Sequence, residues 1–300
     1  MKQRNGNRTG GRWIQPALRG GWLLSWLSLA GGVGCGAPLI RPDLTLLTDP
    51  NAPVYRDQDW ETVLSRFVKD GLVDYDGLSA QREPLERYYA LSSVTGPTKT
   101  PDQFAERGSA TAYWINVYNA LVLRAVLEKY PVASMYTLDL PRLEHGYTFQ
   151  VAGRVMTLAS VEQEMLTSSK GDVRTLFATS RAAMGTPRLG SEPFRGAGLE
   201  SQLAAATVAA LDNSDLLHVD HTRQVILVWQ LVLRRQDDFI SYWRRTRRAQ
   251  TTFVFNVLLE LASPERKRAM QSGVGYALRA IPFNRGLNRT TSPGERPIVP

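Results

Sequence analysis

Residues 113–130, YWINVYNALVLRAVLEKY, constrain the fold more than any other part of the chain. Trp114, Val117, Tyr118, Leu121 and Ala125 recur at the spacing of one helical face, and Ala120, Leu123 and Leu127 fill the adjoining one. A helix that is apolar on two faces must be surrounded by protein, so the pattern predicts a buried central helix over about 110–130, near 27 Å long at ~1.5 Å per residue. Pro131 closes it, because the residue before a proline is pushed out of the α region. Asn116 and Asn119 lie within this apolar surface. An unpaired amide there would cost about 1–3 kcal/mol, so each is expected to have a partner, in loop backbone or in a ligand.

On either side the chain reads mostly as helix. Trp60, Val63, Leu64, Phe67 and Val68 share a face that Asp70-Gly71 ends, Leu72-Val73-Asp74-Tyr75 is a short extended link, and a second helix carries Leu78, Leu85, Tyr88, Tyr89 and Leu91. Beyond Pro131, residues 147–151 and 154–157 flank Ala152-Gly153 as a hairpin, followed by a helix with Leu158, Val161, Met165 and Leu166 on its apolar face and Glu162 on or beside it. Residues 174–180 fit strand or helix equally, and 181–198 are rich enough in Gly and Pro to be loop. A helix over 199–211, a hairpin of 216–220 with 224–228, helices over 229–235, 239–248 and 253–261, and a short strand within 276–283 complete the reading. The fold class predicted is α+β: one mainly helical domain over 55–290, with small hairpins around the central helix and a tail at 291–300.

The N-terminus is of another kind. Lys2, Arg4, Arg8, Arg12 and Arg19 precede any acid, the apolar run WLLSWLSLA follows at 22–30, and then come the small residues GGVGCGAP. Charged, apolar and small segments in that order form a secretory leader, too short in its apolar part to span a bilayer comfortably. The net charge of the chain is +8, and subtracting those five basic residues leaves +3, so the basicity is mostly that of the leader. Cys35, the single cysteine, stands where bacterial lipoproteins carry the residue that is lipidated and becomes the mature N-terminus; the pattern departs at Gly32, where a leucine is expected. Export with membrane attachment through lipidated Cys35 is the expectation; cleavage after Ala30 to give a soluble periplasmic or secreted form, and an uncleaved anchor, are the alternatives. Residues 1–35 are then the leader and 36–54, with Pro38, Pro42, Pro50 and Pro53, a tether. A lone cysteine excludes an intrachain disulfide and a cysteine metal cluster.

Trp60 with Val68-Lys69-Asp70-Gly71-Leu72-Val73-Asp74-Tyr75, the segment Tyr113-Trp114-Ile115-Asn116-Val117-Tyr118-Asn119-Ala120-Leu121, then Tyr130-Pro131-Val132, the stretch from Gly153 to Leu166, and Leu287-Asn288 follow one another in an order that resembles the domain of unknown function 547 family. The Tyr-Asp-Trp usual upstream of the closing motif is missing. The resemblance implies a His-Phe-Ala stretch followed by two cysteines, the second before a proline. Aligned on Phe177-Ala178 and Pro187, the histidine position is Leu176 and the cysteine positions are Arg181 and Thr186. Thiol chemistry needs a thiolate and a base near neutral pH, and neither stands at those positions, so the resemblance implies a pseudoenzyme that keeps the fold.

The candidate cleft gathers Trp114, Asn116, Tyr118, Asn119, Glu162 and Arg174, with Glu162 either a general base or an acid partner of Arg174, and an unknown protein or small molecule as ligand. Two other readings stay open. Thr186, or nearby Ser180 or Ser191, could serve as nucleophile of a hydrolase or acyl transferase, although activation of a hydroxyl requires a positioned base. The run Arg244-Arg245-Thr246-Arg247-Arg248 could dock an anionic surface or acidic partner. His218 and His221 are too few for a metal site, His145 carries no pattern, no cofactor is expected, and export argues against nucleic acid.

Overall fold

The computed structural model describes residues 37–132, 140–247, 250 and 253–290. Leader residues 1–35 with Cys35, Arg248, and the tail 291–300 lie outside the described residues.

The central helix forms where the sequence places it. Counting from the N-terminus, β1 (Leu39–Ile40), α1 (Gln58–Phe67), the pair β2 (Val68–Lys69) and β3 (Leu72–Val73), α2 (Tyr75–Ala80) and α3 (Glu83–Val94) lead to α4 (Ser109–Leu127). Every residue of α4 from Thr111 to Leu127 is buried, as two apolar faces demand. It stops at Leu127, short of the expected end: Pro131 has no N–H to bond the Leu127 carbonyl and its ring would collide with that carbonyl. Within this apolar surface, Arg124 donates from Nε to Glu86 of α3 at 3.0 Å and from Nη1 to Glu128.

The single helix expected across Leu78 to Leu91 is two helices. Asp74 caps α2, accepting from Gly77 N at 2.9 Å, and α3 starts afresh with Pro84 in its first turn, where proline is tolerated. The expected link at 72–75 is half strand: Asp70 and Gly71, at φ 51° and 76°, make the two-residue turn that pairs β2 with β3. The expected tether is also corrected in part. Leu39 and Ile40 pair in parallel with Thr148 and Phe149, and Ile40 is buried. A two-residue strand has too few positions to show a period, so its prolines dominated the reading.

After α4 come α5 (Leu140–His145), the hairpin β4 (Thr148–Val151) and β5 (Arg154–Met156), α6 (Leu158–Ser168) and α7 (Arg174–Phe177). The ambiguous 174–180 stretch is thus a short helix whose Thr175, Leu176 and Phe177 are buried. β4 is central in the sheet β1-β4-β5, and α6 packs along α4. The remainder is α8 (Leu199–Asp212), β6 (Leu217–Asp220), β7 (Val225–Val228), α9 (Gln230–Arg234), α10 (Gln236–Arg247), α11 (Val254–Leu261), α12 (Pro264–Gln271) and β8 (Ala277–Ala280). β6 and β7 form the second expected hairpin, and β8 adds in parallel to β7. The helix α12 has no counterpart in the sequence reading, because PERKRAMQ shows no apolar stripe. Its signal was local: Ser263 accepts from Arg266 N, with Pro264 at the first helical position. The result is a mainly helical α+β domain with three small sheets among the described residues.

Candidate functional site

The Gly/Pro-rich stretch is loop, as expected, but its first part is pinned from three directions. From α4, Asn119 accepts at Oδ1 from Ser180 N (2.9 Å) and donates from Nδ2 to Ala178 O (3.0 Å). From the C-terminal segment, Asn288, 2% exposed, donates its N–H to Ala182 O at 3.1 Å and its Nδ2 to Ser180 Oγ at 3.3 Å, and accepts from the Tyr75 hydroxyl at 2.8 Å. From within, Thr186 Oγ1 accepts from Arg181 N (3.2 Å) and donates to Ala183 O (2.8 Å). Ala182 is held at φ 57°, a conformation that costs a non-glycine residue about 1–3 kcal/mol and persists only where its surroundings impose it. All of these contacts fix Arg181.

The Arg181 side chain is buried against three elements. Its Nη2 donates to Glu162 Oε2 of α6, and its Nε donates to Glu144 Oε1 of α5 at 3.3 Å. Its guanidinium lies 5.4 Å from the ring centre of Trp229 and 5.7 Å from that of Tyr118. The other oxygen of Glu162 accepts from Arg235 at the start of α10, which also reaches Asp238 at 3.2 Å. Burial alone would lower the basicity of Arg181, but the carboxylates of Glu162 and Glu144 beside it hold its pKa above the ordinary value, so it stays charged. Burial pushes the Tyr118 hydroxyl up, so it stays neutral. Tyr118 Oη and Arg181 Nη1 are buried with no hydrogen-bond partner among the described residues, an omission that costs about 1–3 kcal/mol per group. Arg181 is also among the residues that line a cavity of about 50 Å³, with Thr186, Trp229, Glu144, Gln230 and Arg234.

The six residues of the expected cleft do not share one site. Tyr118 and Glu162 meet at Arg181. Trp114, 1% exposed, packs edge-on against Tyr113 at 4.9 Å, while Asn119 and Asn116 hold loops, the latter accepting from Phe194 N at 2.9 Å and donating to Phe194 O at 2.8 Å. Arg174 stands elsewhere: it binds Asp172 at 2.6 Å and Glu200 at 2.6 Å, and the hydrogen bonds it donates to Glu200 and Asp172 hold its pKa above the ordinary value. The expected Glu162–Arg174 pair is therefore replaced by Glu162 with Arg181 and Arg235. Asp172 is only two residues from Arg174 and takes its guanidinium locally, whereas Glu162 sits on the buried side of α6.

Thr186 has both its donor and its acceptor engaged by loop backbone, Ser180 Oγ accepts from Asn288, and Ser191 is exposed. His145 and His218 are exposed; His221 bonds Tyr276 at 3.2 Å and Ser272 at 3.4 Å. Among the described residues no group of three or more His, Cys, Asp or Glu side chains could hold a metal ion, and no helix is long and apolar enough to cross a membrane. The basic run is engaged too: Arg245 donates to Gly171 O at 3.1 Å, Arg247 covers the Trp243 ring at 5.6 Å, and Arg244 has a partner. Sequence reasoning missed Arg181 as a centre, and with it Trp229, Arg235 and Glu144. Asn288, in the closing motif, and Arg181, at a cysteine position of the family resemblance, carried a signal; Trp229, Arg235 and Glu144 carried none.

No curated protein and no solved structure matches the chain. A family model described as "Protein of unknown function, DUF547" matches residues 102–209, the segment that contains Asn119, Glu162, Arg181 and Thr186, and over that segment the chain is similar to this family.

Proposed function

We propose that this protein is exported, anchored to the cell envelope through lipidated Cys35, and acts as a binding or structural member of its family that performs no catalysis. The observation that carries the reading is the buried Arg181–Glu162 pair. It occupies the place where the family resemblance implies a cysteine, and a charged guanidinium held by a carboxylate is no nucleophile at neutral pH. The hydroxyls in the same loop have no imidazole beside them. The retained scaffold supports a binding role, since Asn119, Asn288, Tyr75 and Thr186 still hold the loop around a polar centre. The leader supports export and anchoring.

Two measurements test the two halves of the proposal. Purified protein offered ester, amide and peptide substrates should give no turnover beyond that of its Glu162→Ala form; turnover that disappears in the variant would mean an enzyme. Intact mass of protein from a bacterial membrane fraction should equal residues 35–300 plus acyl chains, and the Cys35→Ser form should lose them. A mass that starts at Gly31 without lipid would replace the anchor with a soluble secreted form.

A further inference from the structure

We propose that the outer edge of strand β8 is a docking site for an extended peptide in which an acidic residue stands between two apolar ones, added as a fourth strand to the β6-β7-β8 sheet. β8 runs parallel to β7, with the Ala277 N–H donating to Gln224 O at 3.3 Å and the Ile281 N–H to Val228 O at 2.9 Å. Odd-numbered residues therefore turn their backbone groups toward β7, and the N–H and C=O of Leu278 and Ala280 turn away from it. These four groups have no partner among the described residues. Two other sheet edges are covered. Arg266 Nη1 donates to Leu217 O on the outer side of β6 at 3.1 Å, and Val73 on β3 donates to Asn288 O at 2.8 Å and accepts from Thr290 N at 3.0 Å. An uncovered edge is a template for one more strand.

The side chains of β8 set what that strand must carry. By register Leu278 and Ala280 stand beside Ile226 and Val228, both buried, while Ala277 and Arg279 lie on the opposite face and are exposed. Arg279 has no ion pair among the described residues, and the acid of this face, Asp220 on β6, is taken by Arg223 at 3.8 Å. An incoming strand therefore gains from apolar residues beside Leu278 and Ala280 and from a carboxylate across from Arg279. The surrounding field has the same sign: residues 213–290 hold 13 Lys and Arg against 6 Asp and Glu, a net charge of +7 (13 − 6), which draws an acidic partner. A second copy of the chain fits poorly. The antiparallel register that pairs Leu278 with Ala280 of the copy sets Arg279 against itself, and like charges directly opposite destabilise a sheet.

The test is fluorescence anisotropy of a labelled synthetic peptide of alternating valine and glutamate, titrated with the purified full-length protein beside a counterpart of alternating valine and lysine. The acidic peptide should bind saturably and the basic one about fivefold more weakly. Arg279→Glu, a change at an exposed side chain, should invert that order. Ala280→Pro removes one outward N–H, keeps the ladder to β7, and should weaken binding about tenfold. Helical circular dichroism shows whether each variant keeps the fold, and if Ala280→Pro does not, the inversion in Arg279→Glu decides alone. Absence of saturable binding, equal binding of the two peptides, no inversion in Arg279→Glu, or full binding to folded Ala280→Pro would each overturn the docking site. A dimer in sedimentation velocity that Ala280→Pro dissociates would give the edge to a second copy and overturn it as well. None of these readings depends on Cys35 or Arg181, so failure here leaves the non-catalytic reading standing.

Discussion

Glu162 and Tyr118 touch the same guanidinium and have opposite consequences for stability. Glu162, 8% exposed, accepts from both Arg181 and Arg235, so its removal leaves a buried cation facing no carboxylate but Glu144. Breaking such a pair from one side costs about 3–5 kcal/mol. Glu162→Ala should therefore lower the unfolding free energy by about that amount in urea denaturation. The Tyr118 hydroxyl has no partner among the described residues. Its deletion in Tyr118→Phe removes a desolvated group and keeps the ring over Arg181, so stability should hold or rise by up to about 1 kcal/mol. A large loss in Tyr118→Phe would mean that the hydroxyl has a bonding role in solution.

At the scale of elements, α4 does more than fill the core. Its two amides fasten two stretches of the same long loop, Asn119 at residues 178–180 and Asn116 at Phe194. Asn119→Ala would strand two buried backbone groups, worth about 2–6 kcal/mol together. It should also open the loop to trypsin at Arg181 and Arg188 under conditions where the parent resists. Asn116→Ala should cost less, because Phe194 is only half-buried and water can replace the amide there. Equal tryptic protection in Asn119→Ala and the parent would mean that Asn288 and Thr186 alone suffice to hold the loop.

For the molecule as a whole, the dense tyrosine core governs behaviour in alkali. Burial raises the hydroxyls of Tyr75, Tyr88 and Tyr113 well above their ordinary range, does the same to Tyr55 and Tyr118, and pushes Tyr89 up to about 12. In the folded state these groups keep their protons. In the unfolded chain they release them above their ordinary pKa of about 10, so the unfolded state binds fewer protons there and stability falls as pH rises. Each fully buried tyrosine contributes a slope of about 1.4 kcal/mol per pH unit above pH ~10, and nothing below it. Tyrosinate absorbance and helical circular dichroism should change together in one steep alkaline step. Gradual ionisation in a protein that keeps its helices would contradict the burial.

Periodicity made the central helix, both hairpins and most flanking helices legible, because a helix that is apolar on two faces has no stable place except the interior, and a short turn between two extended runs has few other solutions. It could also show that Asn116 and Asn119 need partners, while only the family resemblance put Arg181 where a cysteine is implied. It could not show what Arg181 does. Glu144, Glu162, Trp229 and Arg235 are scattered over ninety residues, and Asn288 lies farther still. No local spacing links them. Composition likewise marked residues 36–54 as tether, and only the pairing of Leu39 and Ile40 with β4 drew part of it into the domain. Local pattern by itself determined which segments must be buried and how each one coils. Which charged groups share the interior was decided only by tertiary packing, because a buried ion pair requires close contact between groups and sequence distance does not limit it.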